Sequence, residues 1–159
     1  MASIDVNFVN PFISSTQKTL ETQGQTPVTP GKLRLKKEGE VPPCDIAGVI
    51  SLTSNVFNGT IALCFPANVF LAIYGRMVGE TATEITSQTE DAAGELLNII
   101  FGQAKAELNA RGGYDIQKAI PAVVRGQDLR VKHLAKGPTV MLPFETAVGS
   151  FHIEIATEG

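Results

Sequence analysis

The sequence predicts an α+β domain: a mainly antiparallel sheet with helices packed on one face. Three observations carry that expectation. Periodic stretches follow one another as helix, three strands, two helices and further strands. Asn58-Gly59 falls between two apolar runs, at 45–54 and 60–65, and is a strong hairpin signal. The order never alternates βαβα, which weighs against a doubly wound nucleotide-binding fold. With 159 residues, the chain is expected to form one domain over 1–159. It is long enough to bury about 70% of its unfolded surface.

Asn10-Pro11 reads as a helix start, with Asn as the cap and Pro at the first helical position. That helix runs through Phe12, Ile13, Thr16 and Leu20 to about Gly24. Residues 25–30 hold two prolines and read as a loop. Residues 32–37 alternate basic and apolar, as a strand with one wet face does, and 39–43 form a turn. The hairpin follows. Pro66-Ala67-Asn68 opens a second helix through Val69, Phe70, Ile73, Tyr74 and Met77, closed at Gly79.

After a polar connection at 81–87, a long helix spans about 88–110. Arg111-Gly112-Gly113 ends it, with a cation in the last turn and glycine at the stop. Residues 116–124 are extended and interrupted by Pro121. Two strands close the chain, at 139–144 and 149–156, joined by a turn at 145–148.

Composition excludes several function classes. Thirteen Lys and Arg against sixteen Asp and Glu give a formal charge of −3, which argues against nucleic acid as the main partner. The small basic run Lys32, Arg34, Lys36, Lys37 is absorbed by strand alternation. Cys44 and Cys64 lack metal-type or redox-type spacing. Cys64, inside an apolar run, reads as a buried thiol, and a disulfide to Cys44 stays open. The N-terminal residues lack a signal-peptide pattern and no apolar run reaches membrane-spanning length, so a cytoplasmic protein without membrane insertion is expected. There is no glycine-rich phosphate loop, nucleophile elbow or H-E-x-x-H. His133 has no metal-site neighbours in sequence, and His152 alternates with Phe151 and Ile153 as the wet face of a strand.

What stands out is a narrow polar stripe on the long helix. Asp91, Glu95 and Asn98 are spaced i, i+4, i+7, so they stand above one another on one face. Gly102, Lys105 and Asn109 continue the stripe. The opposite arc holds Ala93, Leu96, Leu97, Ile99, Ile100, Ala104 and Leu108. A solvated face is the plain explanation, but three details count against it. Asn is a poor mid-helix residue. Gly94 and Gly102 each cost about 1 kcal/mol against alanine. The stripe also carries few charges for a face that only confers solubility. Small residues beside a carboxylate and a carboxamide let another surface approach closely, although tight packing inside the domain would also explain the glycines. A carboxylate can grip a lysine ammonium, and a carboxamide can donate and accept at once, holding a water in a fixed direction. Phosphoryl transfer needs mostly such positioning.

These residues resemble the CheC/CheX/FliY chemotaxis phosphatases, the CheX type most closely. The family pattern is an acidic residue or Ser, three residues, Glu, two residues, Asn, then twenty-two residues and Pro. Asp91, Glu95, Asn98 and Pro121 fill it with every gap matching. Gly75-Arg76-Met77-Val78-Gly79-Glu80 also resembles the Met-x-Gly-Glu stretch that precedes this helix in the family. The resemblance implies hydrolysis of the phospho-aspartate of a CheY-like response regulator. Glu95 would pair with the receiver's lysine and Asn98 would orient the attacking water. The chain would need no cofactor of its own, because magnesium belongs to the receiver. Asp91 would orient Glu95 or contact the partner, and Pro121 would shape the chain near the site; Gly94, Gly102 and Lys105 of the stripe are expected in the partner contact. A single E-x-x-N favours the CheX type and implies a homodimer joined through its sheets. Two rivals remain: a non-catalytic docking module for a receiver or flagellar-switch component, and a hydrolase using the Asp91 and Glu95 carboxylates as a pair.

Overall fold

The computed structural model describes residues 6–37, 39–40, 42–53, 58–111, 122–126, 129 and 139–158. Among them lie three helices, α1 (Val6–Thr22), α2 (Ala67–Val78) and α3 (Ser87–Arg111). The strands are β1 (Val28–Pro30), β2 (Arg34–Leu35), β3 (Ile46–Thr53), β4 (Asn58–Phe65), β5 (Ala122–Arg125), β6 (Thr139–Thr146) and β7 (Gly149–Glu158). They form a seven-stranded sheet in the order β1-β6-β7-β4-β3-β5, with β2 also on β6, and every pairing is antiparallel. The predicted α+β class is what is found.

Alternation along the strands sorts the sheet into two faces. Ile46 and Ile50 of β3, Ile61, Leu63 and Phe65 of β4, and Phe151, Ile153 and Ile155 of β7 join one core with apolar residues of all three helices. Aromatic rings bind the strands across this face. Phe144 stacks on its register partner Phe151 at 4.9 Å, and Phe151 on Phe65 at 4.7 Å. The other face carries a smaller buried cluster of Cys44, Ala47, Ala62 and Cys64.

Several local expectations change. The first helix starts before Asn10, so Pro11 lies inside it. Phe8 and Val9 are almost fully buried, and that burial outweighs the backbone hydrogen bond Pro11 cannot make. The two-proline stretch contains β1, whose edge position on β6 tolerates Pro30. Of the 32–37 run only Arg34 and Leu35 are strand, and Leu35 is 63% exposed, so no buried face explains the alternation there. Asn58-Gly59 opens β4 rather than forming the turn. Asn58 pairs with Thr53, so the connection is 54–57, outside the described residues. The last turn is only Ala147-Val148, with β6 running to Thr146. His152 is 5% exposed and is not on a wet face. Residues 112–121, including Pro121, and His133 lie outside the described residues, and the extended stretch expected at 116–124 is described only from Ala122. Cys44 and Cys64 are both buried and unbridged.

α2 ends as its sequence predicts: Gly79 takes the left-handed conformation, φ 73°, and its N–H donates to the Gly75 carbonyl. Its start is capped from outside, the Ala67 N–H donating to the Asp45 carboxylate at 2.7 Å. No described helix is long and apolar enough to cross a membrane.

Candidate functional site

α3 is fixed on every side but one. At its start, Thr86 and Thr89 cap each other: the Thr86 N–H donates to the Thr89 hydroxyl at 2.7 Å and the Thr89 N–H to the Thr86 hydroxyl at 3.4 Å. This is a capping box with Thr in place of the usual Glu. One turn on, Glu90 pairs with Arg125 of β5 at 2.9 Å, and Arg125 also donates to the Ile85 carbonyl. Underneath, Leu97 sits directly over Gly48 of β3, where a Cβ would come within 1.8 Å of the leucine Cδ1. On one flank lies α1. Its Ser15 hydroxyl donates to the Ile100 carbonyl at 2.6 Å, and Phe12 meets Phe101 edge-on at 6.2 Å. On the other flank, Gly94 faces Val123 of β5.

What remains between the flanks is the polar stripe. Asp91, Glu95, Asn98, Gly102 and Asn109 are exposed, and Lys105 and Gly94 are half-buried. Opposite them Ala93, Leu96, Leu97, Ile100, Ala104 and Leu108 are buried, while Ile99 is only half-buried. At about 1.5 Å rise per residue, the carboxylate of residue 95 and the amide of residue 98 are rooted about one turn apart. Among the described residues, neither Glu95 nor Asn98 has a hydrogen-bond or ion-pair partner. Packing among the described residues does not demand the glycines. A Cβ at Gly94 would make an ordinary 3.8 Å contact, and one at Gly102 would meet nothing.

Two clefts of about 730 and 570 Å³ are lined by residues of α2, of the 79–85 connection and of the end of β5, and neither includes Glu95 or Asn98. The supports of the helix were only partly legible. Thr86-x-x-Thr89 and a glycine inside strand β3 are recognisable signals of a cap and of close approach. The Glu90–Arg125 pair joins residues 35 apart and leaves no trace in sequence spacing.

An antiparallel sheet backing a helix with an exposed carboxylate and carboxamide defines the class: an α+β protein with a polar helix face turned outward. The comparisons with known proteins narrow it. Residues 46–145 match the family described as "Chemotaxis phosphatase CheX", and the chain belongs to that family. It is similar to the crystal structure of the chemotaxis protein CheX from Vibrio vulnificus, with 31% identity over 96% of this chain and 99% of that one, at a TM-score of 0.85. A chemotactic CheC-like protein from Shewanella oneidensis is 32% identical, with 98% of this chain and 100% of that chain covered and a TM-score of 0.87. A CheX–CheY–BeF3–Mg complex from Borrelia burgdorferi shares the fold at a TM-score of 0.76, with 18% identity over 99% of this chain and 100% of that chain. Among curated proteins none matches the chain.

Proposed function

We propose that this protein hydrolyses the phospho-aspartate of a CheY-like response regulator by inserting the Glu95/Asn98 face of α3 into the receiver's active site. The observation that carries the reading is the pair itself, exposed on one helix face and without side-chain partners among the described residues. Family membership supplies the reaction class, and a relative of the same fold is known in complex with CheY, BeF3 and Mg.

In this reading the two side chains divide the work. Glu95 forms a charge-assisted hydrogen bond with the receiver's lysine and sets the depth and register of docking. Asn98 donates to and accepts from the attacking water and holds it in line with phosphorus. The receiver contributes magnesium. Gly102 and the small surface around it let the partner's backbone approach, and Asp91 lies at the rim of the contact.

The experiment separates binding from chemistry. Affinity for a receiver carrying a stable phosphoryl mimic and the rate of phosphate loss from the true phospho-receiver are measured with the same variants. Glu95→Ala is expected to weaken binding, by about tenfold or more for loss of a hydrogen bond between charged groups. Asn98→Ala should bind nearly as well as wild type and lose hydrolysis. Tight binding by wild type with no acceleration of phosphate loss would select the docking-module reading instead.

A further inference from the structure

On the sheet face away from α3, three residues with metal-binding side chains converge inside the protein. Cys64 of β4 and His152 of β7 are direct register partners, and Glu154 is the next residue of β7 on that face. Their potential ligand atoms all lie within 4.8 Å of one another, and the residues are 0%, 5% and 2% exposed. We infer that Cys64, His152 and Glu154 form a three-ligand binding site for a single zinc-class divalent cation. The inference is independent of the phosphatase reading.

The chemistry of the set fits that class. Thiolate, imidazole and carboxylate together suit zinc or its cobalt substitute rather than magnesium or calcium, which take oxygen ligands. Bond lengths of about 2.0–2.3 Å place tetrahedral donors roughly 3.3–3.8 Å apart. The present spread brackets that range, since His152 Nε2 and Glu154 Oε2 are 3.0 Å apart and need to open only slightly. Cys44 lies in the same buried cluster as Cys64, and its thiol donates to the Ile46 carbonyl at 3.7 Å.

The surroundings also resemble a ligating carboxylate's outer shell. Glu154 turns Oε2 toward His152 while Lys36 donates to its Oε1 at 2.8 Å, fixing the carboxylate's orientation. On binding, the Cys64 thiol proton leaves to solvent, and the thiolate and the Glu154 carboxylate balance the two charges of the cation. Such a site would tie β4 to β7. A hydrogen-bonded chain from Lys36 through Glu154 to His152 would account for three of the residues, but it gives Cys64 no role.

Metal-free protein in a reducing buffer is titrated with cobalt(II), then with zinc(II). The expected result is one equivalent of cobalt, with a thiolate-to-cobalt charge-transfer band and intense tetrahedral d–d bands, both abolished when zinc displaces it. Cys64→Ala and His152→Ala should each remove the charge-transfer band or reduce cobalt affinity by more than tenfold. Lys36→Met should weaken binding about tenfold while keeping the band. No stoichiometric uptake by the wild type, or uptake without thiolate charge transfer, would overturn the inference. So would full affinity in folded Cys64→Ala. The wild-type spectrum decides the matter if a buried-site variant fails to fold.

Discussion

Asn98 is an expensive residue where it stands. Mid-helix and exposed, it gives up helix propensity and gains no internal partner among the described residues. Gly102, one turn further on, is similar: it faces open space, so alanine there should stabilise the helix by about 1 kcal/mol. If the stripe docks against a receiver, Gly102→Ala should raise the melting temperature and at the same time weaken receiver binding. A gain in both would assign the glycine no part in docking. Away from the site, Arg34 holds the Glu40 carboxyl down at about 2, first through their hydrogen bond. A carboxylate depressed by folding adds stability above its ordinary value of 4.5, and that contribution is lost as the pH falls through about 2. In Arg34→Ala, a carboxyl titration followed by NMR should find Glu40 shifted back toward its ordinary range. Single residues were also where the sequence misled. His152 alternates like a surface residue, yet the carboxylate of Glu154 makes its burial tolerable, and nothing in the spacing of Lys36, Cys64, His152 and Glu154 announces that they meet.

Elements built from strong local signals were legible: α2 with its Gly79 cap, α3 with its apolar arc, and the β6–β7 hairpin. Elements decided by burial were not. Phe8 and Val9 extend α1 past a proline that reads as its start, and exposed Leu33 and Leu35 imitate a half-buried strand. The polar stripe was readable because it is local, lying within one helix at fixed pitch. The parts that hold the helix in place come from β3, β5 and α1, and only their folding reveals them. Gly48 is the sharpest of these. Gly48→Ala would drive a methyl group into Leu97, so a loss of about 2–3 kcal/mol is expected from overpacking. Thermal or urea unfolding measures it. A loss below about 0.5 kcal/mol would mean that α3 is free to shift on the sheet.

At the scale of the whole molecule, the helices and the stripe occupy one side of the sheet, and β5 ends the strand order with Val124 46% exposed. The family resemblance implies a homodimer joined through the sheets. Sedimentation should therefore give twice the 16.9 kDa chain mass, and a monomer at micromolar concentration would remove the dimer from the account. A net charge of −3 and an exposed carboxylate suit a partner that brings its own lysine and metal ion. The most direct measurement is the decay of a phosphorylated CheY-like receiver with a sub-stoichiometric amount of this protein. The account predicts repeated turnover by the wild type and a loss of about 100-fold or more in Asn98→Ala, equivalent to roughly 3 kcal/mol of transition-state stabilisation. Equal decay with wild type, with Asn98→Ala and with no added protein would contradict it.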